Sequence, residues 1–334
     1  MLKKRGYHIP PVPYGVIHAH GKDTIDFLQR LTTNDMAQLS STGGIRTVLL
    51  NEKGRIIDVI TCLQDSDRLR IITSPGSIEQ VYSWLRRYVI LDDVVLSVPQ
   101  DSWACIEIWD LQPREGVFAI FPECVSLIEG QYFLFPNQTW DAQIVTLWKK
   151  GVQGEVFSGL IVCSPSCIDT LIQWLEKQGI SNLDYHLREA LRLKAGIGQY
   201  PNEYNLDYIP LEAGLVDFVS FHKGCYIGQE VIERLSAQKK LRYRLHTLTA
   251  NGFLPISVPT LLFPHESSST HNEPDSREAV GTLTSVSYLE EDDDGLPRMY
   301  GLGYIRPRTD NMQVLATAEG HLLYLGNAVA SIMV

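Results

Sequence analysis

The chain has 334 residues, 44% of them hydrophobic and 20% charged, with a formal charge of −10. That length allows two or three domains with substantial cores, and the composition is ordinary for a soluble globular protein. The acidic balance argues against nonspecific binding to nucleic acid or to anionic membranes. No apolar run approaches the ~20 residues needed to span a bilayer. The stretch up to Pro13 has basic residues with no apolar run behind them, so it reads as neither a secretory signal nor a transit peptide, and the expected location is the cytoplasm. Six cysteines, at 62, 105, 124, 163, 167 and 225, form no C-x-x-C pair and are expected to be free thiols.

In chain order, Tyr14–His20 reads as a strand closed by Gly21. Asp23–Leu31 reads as a helix with Ile25, Leu28 and Leu31 on one side. Ile45–Leu50 and Arg55–Leu63 are β-rich runs joined by Asn51-Glu52-Lys53-Gly54, residues suited to a hairpin turn. Arg68–Thr73 is a further strand. Ser77-Ile78-Glu79-Gln80 has the form of a capping box, and Val81, Leu85 and Tyr88 continue the helix it opens. Val94–Val98, Trp103–Ile108 and Val117–Phe121 are expected strands, as is an apolar run ending at Cys163. Ser164-Pro165 opens a helix with a buried stripe of Ile168, Leu171, Ile172 and Leu175, and Gly179 follows its end. Asp184 caps a helix that runs to Ala195 and stops at Gly196.

After a short basic segment, Lys239–Arg244, the pattern changes to short strands: Leu245–Thr249, Ala279–Val286, Met299–Ile305, Gln313–Ala316, His321–Leu325 and Ala328–Met333. Polar loops fall at Pro264–Glu278 and Glu290–Gly295. This spacing predicts a small antiparallel barrel. Strands and helices mix without strict alternation, so the expected class is α+β. The expected organisation is a first region over residues 1–240, built of two interleaved subdomains, and a barrel over 241–334.

The chemistry concentrates in Ser220–Glu230. Gly224 and Gly228 bracket Cys225, a pattern that suits a tight turn or a close approach to a ligand. Val231, Ile232 and Leu235 continue as a helix. Cys225 then lies just ahead of a helix N-terminus, with Lys223 two residues away, and both features favour a thiolate. The plainer alternative is a buried, inert cysteine.

Lys223-Gly224-Cys225-Tyr226-Ile227-Gly228-Gln229-Glu230 resembles the Lys-Gly-Cys-Tyr-x-Gly-Gln-Glu signature of the YgfZ family, folate-binding proteins related in fold to the glycine cleavage T-protein. The resemblance implies a T-protein-like fold with mixed and antiparallel sheets and a C-terminal antiparallel barrel. It implies tetrahydrofolate or a one-carbon derivative as cofactor, and a role in assembly or repair of iron–sulfur proteins, including radical enzymes that modify tRNA. The implied partners are iron–sulfur client proteins or assembly factors, with no direct nucleic acid contact. Cys225 and Lys223 form the implied catalytic pair. Two chemistries stay open for the thiol: a transient cluster ligand, or a nucleophile toward a folate-borne one-carbon unit.

Other segments extend the resemblance. The Gly21-x-Asp23…Phe27-Leu28-Gln29…Thr33-Asn34-Asp35 pattern is similar to the opening of both families, and Leu187–Gly196 resembles the T-protein stretch Ala-Arg-Asp-x-Leu-Arg-Leu-Glu-Ala-Gly. The implied folate contacts are Tyr14, whose ring can stack on a pterin, then Asp58, Arg188 and Glu212. Asp58 follows the hairpin turn where the T-protein places an aspartate beside the folate; its alternative is a solvent-facing strand carboxylate. The alternative for Arg188 is a surface helix arginine. Lys194 stands where the T-protein stretch has a glutamate against the pterin. A lysine offers only donors, so Glu189 or Glu212 is the expected substitute acid. Two other functions remain: an aminomethyltransferase of the glycine cleavage system, or a non-catalytic folate-binding module. The first family carries Gly-Tyr-Thr-Gly-Glu, and the nearest stretch here is Gly151-Val152-Gln153-Gly154-Glu155.

Overall fold

The computed structural model describes residues 5–39, 43–65, 68–99, 103–111, 113, 116–126, 130–134, 142–148, 156–238, 240–265, 278–290, 297–309 and 312–329. In chain order the elements are β1 (Arg5–His8), β2 (Gly15–His20), α1 (Thr24–Leu31), β3 (Gly44–Leu50), β4 (Ile56–Gln64), β5 (Leu69–Thr73), α2 (Ile78–Arg87), β6 (Val95–Ser97) and β7 (Ala104–Asp110). There follow α3 (Val117–Ile120), β8 (Tyr132–Leu134), β9 (Ala142–Trp148), β10 (Phe157–Cys163), α4 (Ile168–Lys177), β11 (Ser181–Asn182), α5 (Tyr185–Lys194) and α6 (Gln229–Gln238). The last part contains β12 (Arg244–Asn251), β13 (Thr260–Pro264), β14 (Gly281–Glu290), β15 (Pro297–Ile305), β16 (Val314–Thr317) and β17 (Leu322–Ala328).

These strands build a five-stranded sheet ordered β3-β4-β5-β2-β6, a six-stranded sheet ordered β11-β1-β7-β10-β9-β8, and a closed barrel ordered β12-β15-β14-β13-β16-β17. The pairing is antiparallel except between β1 and β11, which makes the six-stranded sheet mixed. The α+β expectation and the C-terminal barrel both hold.

The five-stranded sheet is covered on both faces. Phe27, Leu28 and Leu31 of α1 and Val81 and Leu85 of α2 pack on Ile17, Ile60 and Ile71. On the other side Leu63 and Ile72 meet Cys105, Val145, Leu160 and Val162 of the six-stranded sheet. A strand buried on both faces loses hydrophobic alternation, which is why Ile56–Leu63 reads as a mostly apolar run interrupted by Asp58 and Thr61. A third core crosses into the barrel: Val48, Leu50 and Ile56 join Tyr204, Leu211, Phe218 and Ile232, and then Leu245, Leu302 and Tyr304.

Several local expectations change. Val117–Phe121 is not a strand: residues 117–120 form the short helix α3, whose Val117 amide donates to Asp110 Oδ2 at 2.8 Å. Val117, Phe121 and Cys124 all turn into the core from this helix and the turn after it, a helical and not an alternating pattern. Ser77 opens α2, but its hydroxyl donates to Asp58 Oδ2 at 2.6 Å and makes no cap bond. Strand β13 was hidden by Pro259 and Pro264 at its two ends, because proline reads as a break in a sheet. The Asp184 cap is as expected, with Oδ1 accepting from the Leu187 amide at 2.8 Å, and Gly196 ends the helix at φ +73°. The expected strand Ala328–Met333 falls mostly outside the described residues, as do the stretch Gly151–Glu155 and most of the two polar loops of the barrel.

Candidate ligand cavity and signature loop

A cavity of about 250 Å³ opens where the two sheets meet the start of α5. The β1–β2 connection supplies Pro10, Pro11, Val12 and Tyr14; β3, β4 and β5 supply Arg46, Val59, Thr61 and Ile72; β7 and β10 supply Glu107, Trp109 and Ser158. Because Asp184 fixes the first turn of α5, Tyr185, Arg188 and Arg192 fall at i, i+3 and i+7 on one helix face. All three line the cavity. The segment Ile197–Pro201 and Tyr204 close the remaining side.

The centre of this wall is Glu107, 1% exposed. It receives both arms of Arg188, Nε to Oε2 at 2.7 Å and Nη2 to Oε1 at 2.9 Å. It also receives the Tyr14 hydroxyl at 2.7 Å and the Trp109 indole N–H at 2.8 Å. Burial opposes the charge on Glu107, but Arg188 and these donors outweigh it and hold the carboxyl below its usual range. Burial and Glu107 together push the Tyr14 phenol well above its usual value, so it stays a donor. Arg188 also bonds Glu189 and Gln199, and Arg192 donates to Glu189 Oε2 at 2.8 Å and to Glu203 Oε2 at 3.0 Å. Burial raises Glu189, but Arg192 and Arg188 prevail and hold it down at about 2. Glu203 Oε1 then accepts from Thr284 and Ser285 of the barrel, each at 2.6 Å. Each bond in this line is charge-assisted, the stronger class of hydrogen bond. By contrast the Ser158 hydroxyl, in the cavity wall and 1% exposed, has no hydrogen-bond partner among the described residues.

Of the residues singled out in the sequence, the structure brings Tyr14 and Arg188 together in this cavity through Glu107. The sequence reading missed Glu107. The available signal was a lone carboxylate inside the apolar strand Cys105-Ile106-Glu107-Ile108-Trp109.

Asp58 is not in the cavity lining, and it is not solvent-facing either. It is fully buried, and its oxygens accept from the Val59 and Ser74 amides at 2.8 and 2.9 Å and from the Ser77 hydroxyl. Burial pushes its carboxyl up despite those donors. Asp58 therefore ties β4 to the β5–α2 turn, while Val59 faces the cavity. Glu212 is also elsewhere. It accepts from the amides of Ile209, Arg242 and Tyr243, each at 3.2 Å, and lies 3.7 Å from Arg55. It fixes the chain at the entrance to β12, and burial raises its carboxyl. Lys194 sits over the Tyr300 ring at 5.2 Å, outside the cavity, so its difference from the T-protein glutamate removes no acceptor from the cavity wall.

The signature loop is a separate place; none of its residues lines the cavity. Cys225 is exposed, whereas Cys62, Cys105, Cys124 and Cys163 are buried and Cys167 is half-buried. Burial pushes the Cys62 and Cys105 thiols up to about 12. Cys225 precedes α6 as expected. Lys223 is not positioned as a partner for the thiol. Its ammonium donates to three carbonyls at the end of α1, those of Gln29, Thr32 and Asn34, at 2.6, 2.7 and 2.8 Å. Those three bonds use all its protons, and a cation there also complements the C-terminal end of α1. Burial lowers Lys223 to about 8, with Asp35 acting the other way. The Ile227 amide donates to the Arg30 carbonyl at 3.0 Å and the Ser220 amide to Thr33 at 2.9 Å. Gly228 takes φ +82°, and a Cβ there would lie 2.8 Å from the Asn51 carbonyl. Among the described residues no three His, Cys, Asp or Glu side chains gather in a metal-holding arrangement.

The architecture is that of the T-protein fold. A solved structure with this fold is glycine cleavage system aminomethyltransferase T from Bartonella henselae, with TM-score 0.73 and 19% identity over 98% of this chain and 86% of that one. Residues 13–223 match the GCVT N-terminal domain family, and the chain belongs to that family. Curated relatives named aminomethyltransferase include those of Caldanaerobacter subterraneus, 29% identical over 67% of this chain and 61% of the relative, and Chlorobium phaeobacteroides, 25% identical over 81% and 72%. The first of these matches spans less than two thirds of the relative's length. Among the described residues no helix is long and apolar enough to cross a membrane.

Proposed function

We propose that the chain binds tetrahydrofolate or a one-carbon derivative in the Tyr14–Arg188 cavity, and that Cys225 serves a YgfZ-type role in assembly or repair of iron–sulfur proteins. The observation that carries this reading is the signature loop: one exposed thiol among six, on a segment pinned to the end of α1 by Lys223 and Ile227. A soft thiolate is a suitable ligand for an iron–sulfur cluster in transit.

The cavity suits the ring of a folate. It is smaller than the ~300–1,000 Å³ of pockets that bury a whole drug-sized ligand, so it has room for the bicycle and not the entire molecule. Tyr14 and Trp109 offer aromatic wall. The unpartnered Ser158 hydroxyl offers one hydrogen bond. The charges of Glu107, Glu189, Arg188 and Arg192 already satisfy one another, and Arg46 adds a guanidinium to the lining that suits the carbonyl edge of a polar ring. Bound tetrahydrofolate would supply a carrier for a one-carbon unit. The part played by this chain is to hold and orient it.

The relatives' names support a second reading, aminomethyl transfer in the glycine cleavage system. Against it, Asp58 is committed to Ser74 and Ser77, and Glu107, the carboxylate in the cavity lining, is committed to Arg188, Trp109 and Tyr14. Titration with tetrahydrofolate, followed by tryptophan quenching, tests what the readings share; absence of saturable quenching overturns both. Tetrahydrofolate-dependent release of ammonia from an aminomethyl-loaded lipoyl protein would establish the second. Failure of Cys225→Ala to complement a strain lacking its own YgfZ-type factor, without that ammonia release, supports the first.

A further inference from the structure

The cavity wall is rich in protons to donate and poor in places to accept them. Its carboxylate, Glu107, is filled. Oε1 accepts from Arg188 Nη2 and Tyr14, and Oε2 from Arg188 Nε and Trp109. Two bonds to each oxygen take up the lone pairs a carboxylate has. The side-chain oxygen of Gln199, also in the lining, accepts from Arg188 at 2.7 Å. A ligand that offers N–H groups therefore meets no open carboxylate here.

The donors are in the opposite state. The Ser158 hydroxyl is buried in the wall without a partner. The Tyr204 hydroxyl, in the same lining and 2% exposed, lies by the Gly198 amide, but its proton has no acceptor among the described residues. Burial holds that phenol above its usual value, with the charge of Arg46 acting the other way, so the proton stays. The same charge acts on the Tyr14 phenol, which sets the buried Arg46 guanidinium among the phenols of the cavity. Strand register gives these groups a common frame. Arg46, Thr61 and Ile72 stand side by side across β3, β4 and β5, and Trp109 stands beside Ser158 across β7 and β10. All five line the cavity. Sheets packed face to face lie about 10 Å apart, and the small side chains of Thr61 and Ser158 leave room between them for a flat ring.

We infer that Ser158, Tyr204 and Arg46 read an acceptor edge of the bound ring, and that the cavity therefore selects a 4-oxo pterin over its 4-amino counterpart. An oxo oxygen offers lone pairs to these donors. An amino group in its place turns donors toward donors. A hydroxyl can accept from an amine, but the hydroxyl protons then stay buried without an acceptor, and a guanidinium cannot accept at all. This rests on the reading that the cavity holds tetrahydrofolate, and the controls separate the two.

The test titrates the full chain with tetrahydrofolate and with its 4-amino counterpart, followed by tryptophan quenching, in the unaltered protein, Ser158→Ala and Tyr204→Phe. The unaltered protein should bind the amino ring about a hundredfold more weakly or worse, because a site built to bond one group rejects an analogue that lacks it. Each variant should bind tetrahydrofolate about three- to tenfold more weakly, the effect of one hydrogen bond. Binding of the amino ring should move less, so the discrimination narrows. Melting temperatures should hold or rise, since each variant removes a buried hydroxyl whose bond is unmade. A purely structural role would lower the melting temperature and leave affinity alone. Equal affinity for the two rings, or tetrahydrofolate affinity unmoved in both variants, overturns the inference and leaves the folate reading standing. So does a loss that is the same for both rings, which would make the hydroxyls general contacts. Displacement of bound tetrahydrofolate by inorganic phosphate would make the donors an anion site and overturn it too. If the unaltered protein shows no saturable binding of tetrahydrofolate, the folate reading falls and this inference falls with it.

Discussion

The cavity and the signature loop use charge in opposite ways. Around the cavity, Glu107, Glu189 and Glu203 are buried and matched to Arg188 and Arg192, and Arg46 adds a further buried guanidinium to the lining. In the signature loop a single ammonium, Lys223, is drawn inward onto three carbonyls, and the thiol two residues later is left facing solvent. The first arrangement suits holding a neutral ring. The second suits meeting something that arrives from outside. Separation of the two places means that each can be damaged without the other.

The largest effect should come from the cavity wall. Arg192→Met takes from the buried Glu203 its guanidinium and leaves Glu189 only that of Arg188, and should cost about 3–5 kcal/mol, read as a lower midpoint in chemical denaturation. Cys225 should remain the first thiol alkylated in the folded fraction. Acid sharpens the same point. Glu189 is held at about 2 in the folded chain, whereas an unfolded glutamate titrates near ~4.3. A carboxyl depressed by folding stabilises fully above the unfolded value and loses that contribution as pH falls toward the folded one. Stability should therefore drop between about pH 4.3 and 2 by an amount on the order of 3 kcal/mol, and Glu107 adds in the same direction. Denaturation midpoints across that window check it, and Arg192→Met should flatten the slope.

On the other side of the comparison, Lys223→Met strands three carbonyls and should cost about 1–3 kcal/mol. Amide exchange at Ile227 should quicken. Brief iodoacetamide treatment with mass mapping should still label Cys225 ahead of the five less accessible thiols, at a rate little changed, because the Lys223 protons are engaged elsewhere. A marked slowing would mean that the ammonium does serve the thiol. The smallest effect should be Tyr14→Phe, which removes one hydrogen bond to Glu107, about 1 kcal/mol of stability. Tyr14→Ala also removes aromatic wall, and it should weaken tetrahydrofolate binding more than Tyr14→Phe does.

Much of the fold was legible because local signals agreed with their surroundings. Asp184 and Gly196 bound α5, and the change to short strands after Lys239 announced the barrel. What stayed hidden depended on partners distant in sequence. Glu107 stands out as a lone carboxylate in an apolar strand, but its partner Arg188 lies 81 positions away and is brought to it only by the fold. Asp58 looked available because the turn before it was recognisable; its commitment to Ser74 and Ser77 is a tertiary fact. Lys223 was misread for the converse reason. Closeness in sequence to Cys225 suggested a pair, but a long flexible side chain goes to whatever acceptors the fold places around it. Cys225 itself was legible by its two glycines, although its exposure was not.

Glu203 has a consequence for how this chain can be divided or recombined. One of its oxygens belongs to Arg192 and the cavity wall, the other to Thr284 and Ser285 on β14. A chain cut between residues 240 and 241 would leave that buried carboxylate without its hydroxyl donors and open the core shared by Tyr204 and Tyr304. The barrel is thus not an interchangeable module. A barrel grafted from a relative would have to bring two hydroxyls to these same two positions, or the graft would fail at the cavity and not at the seam.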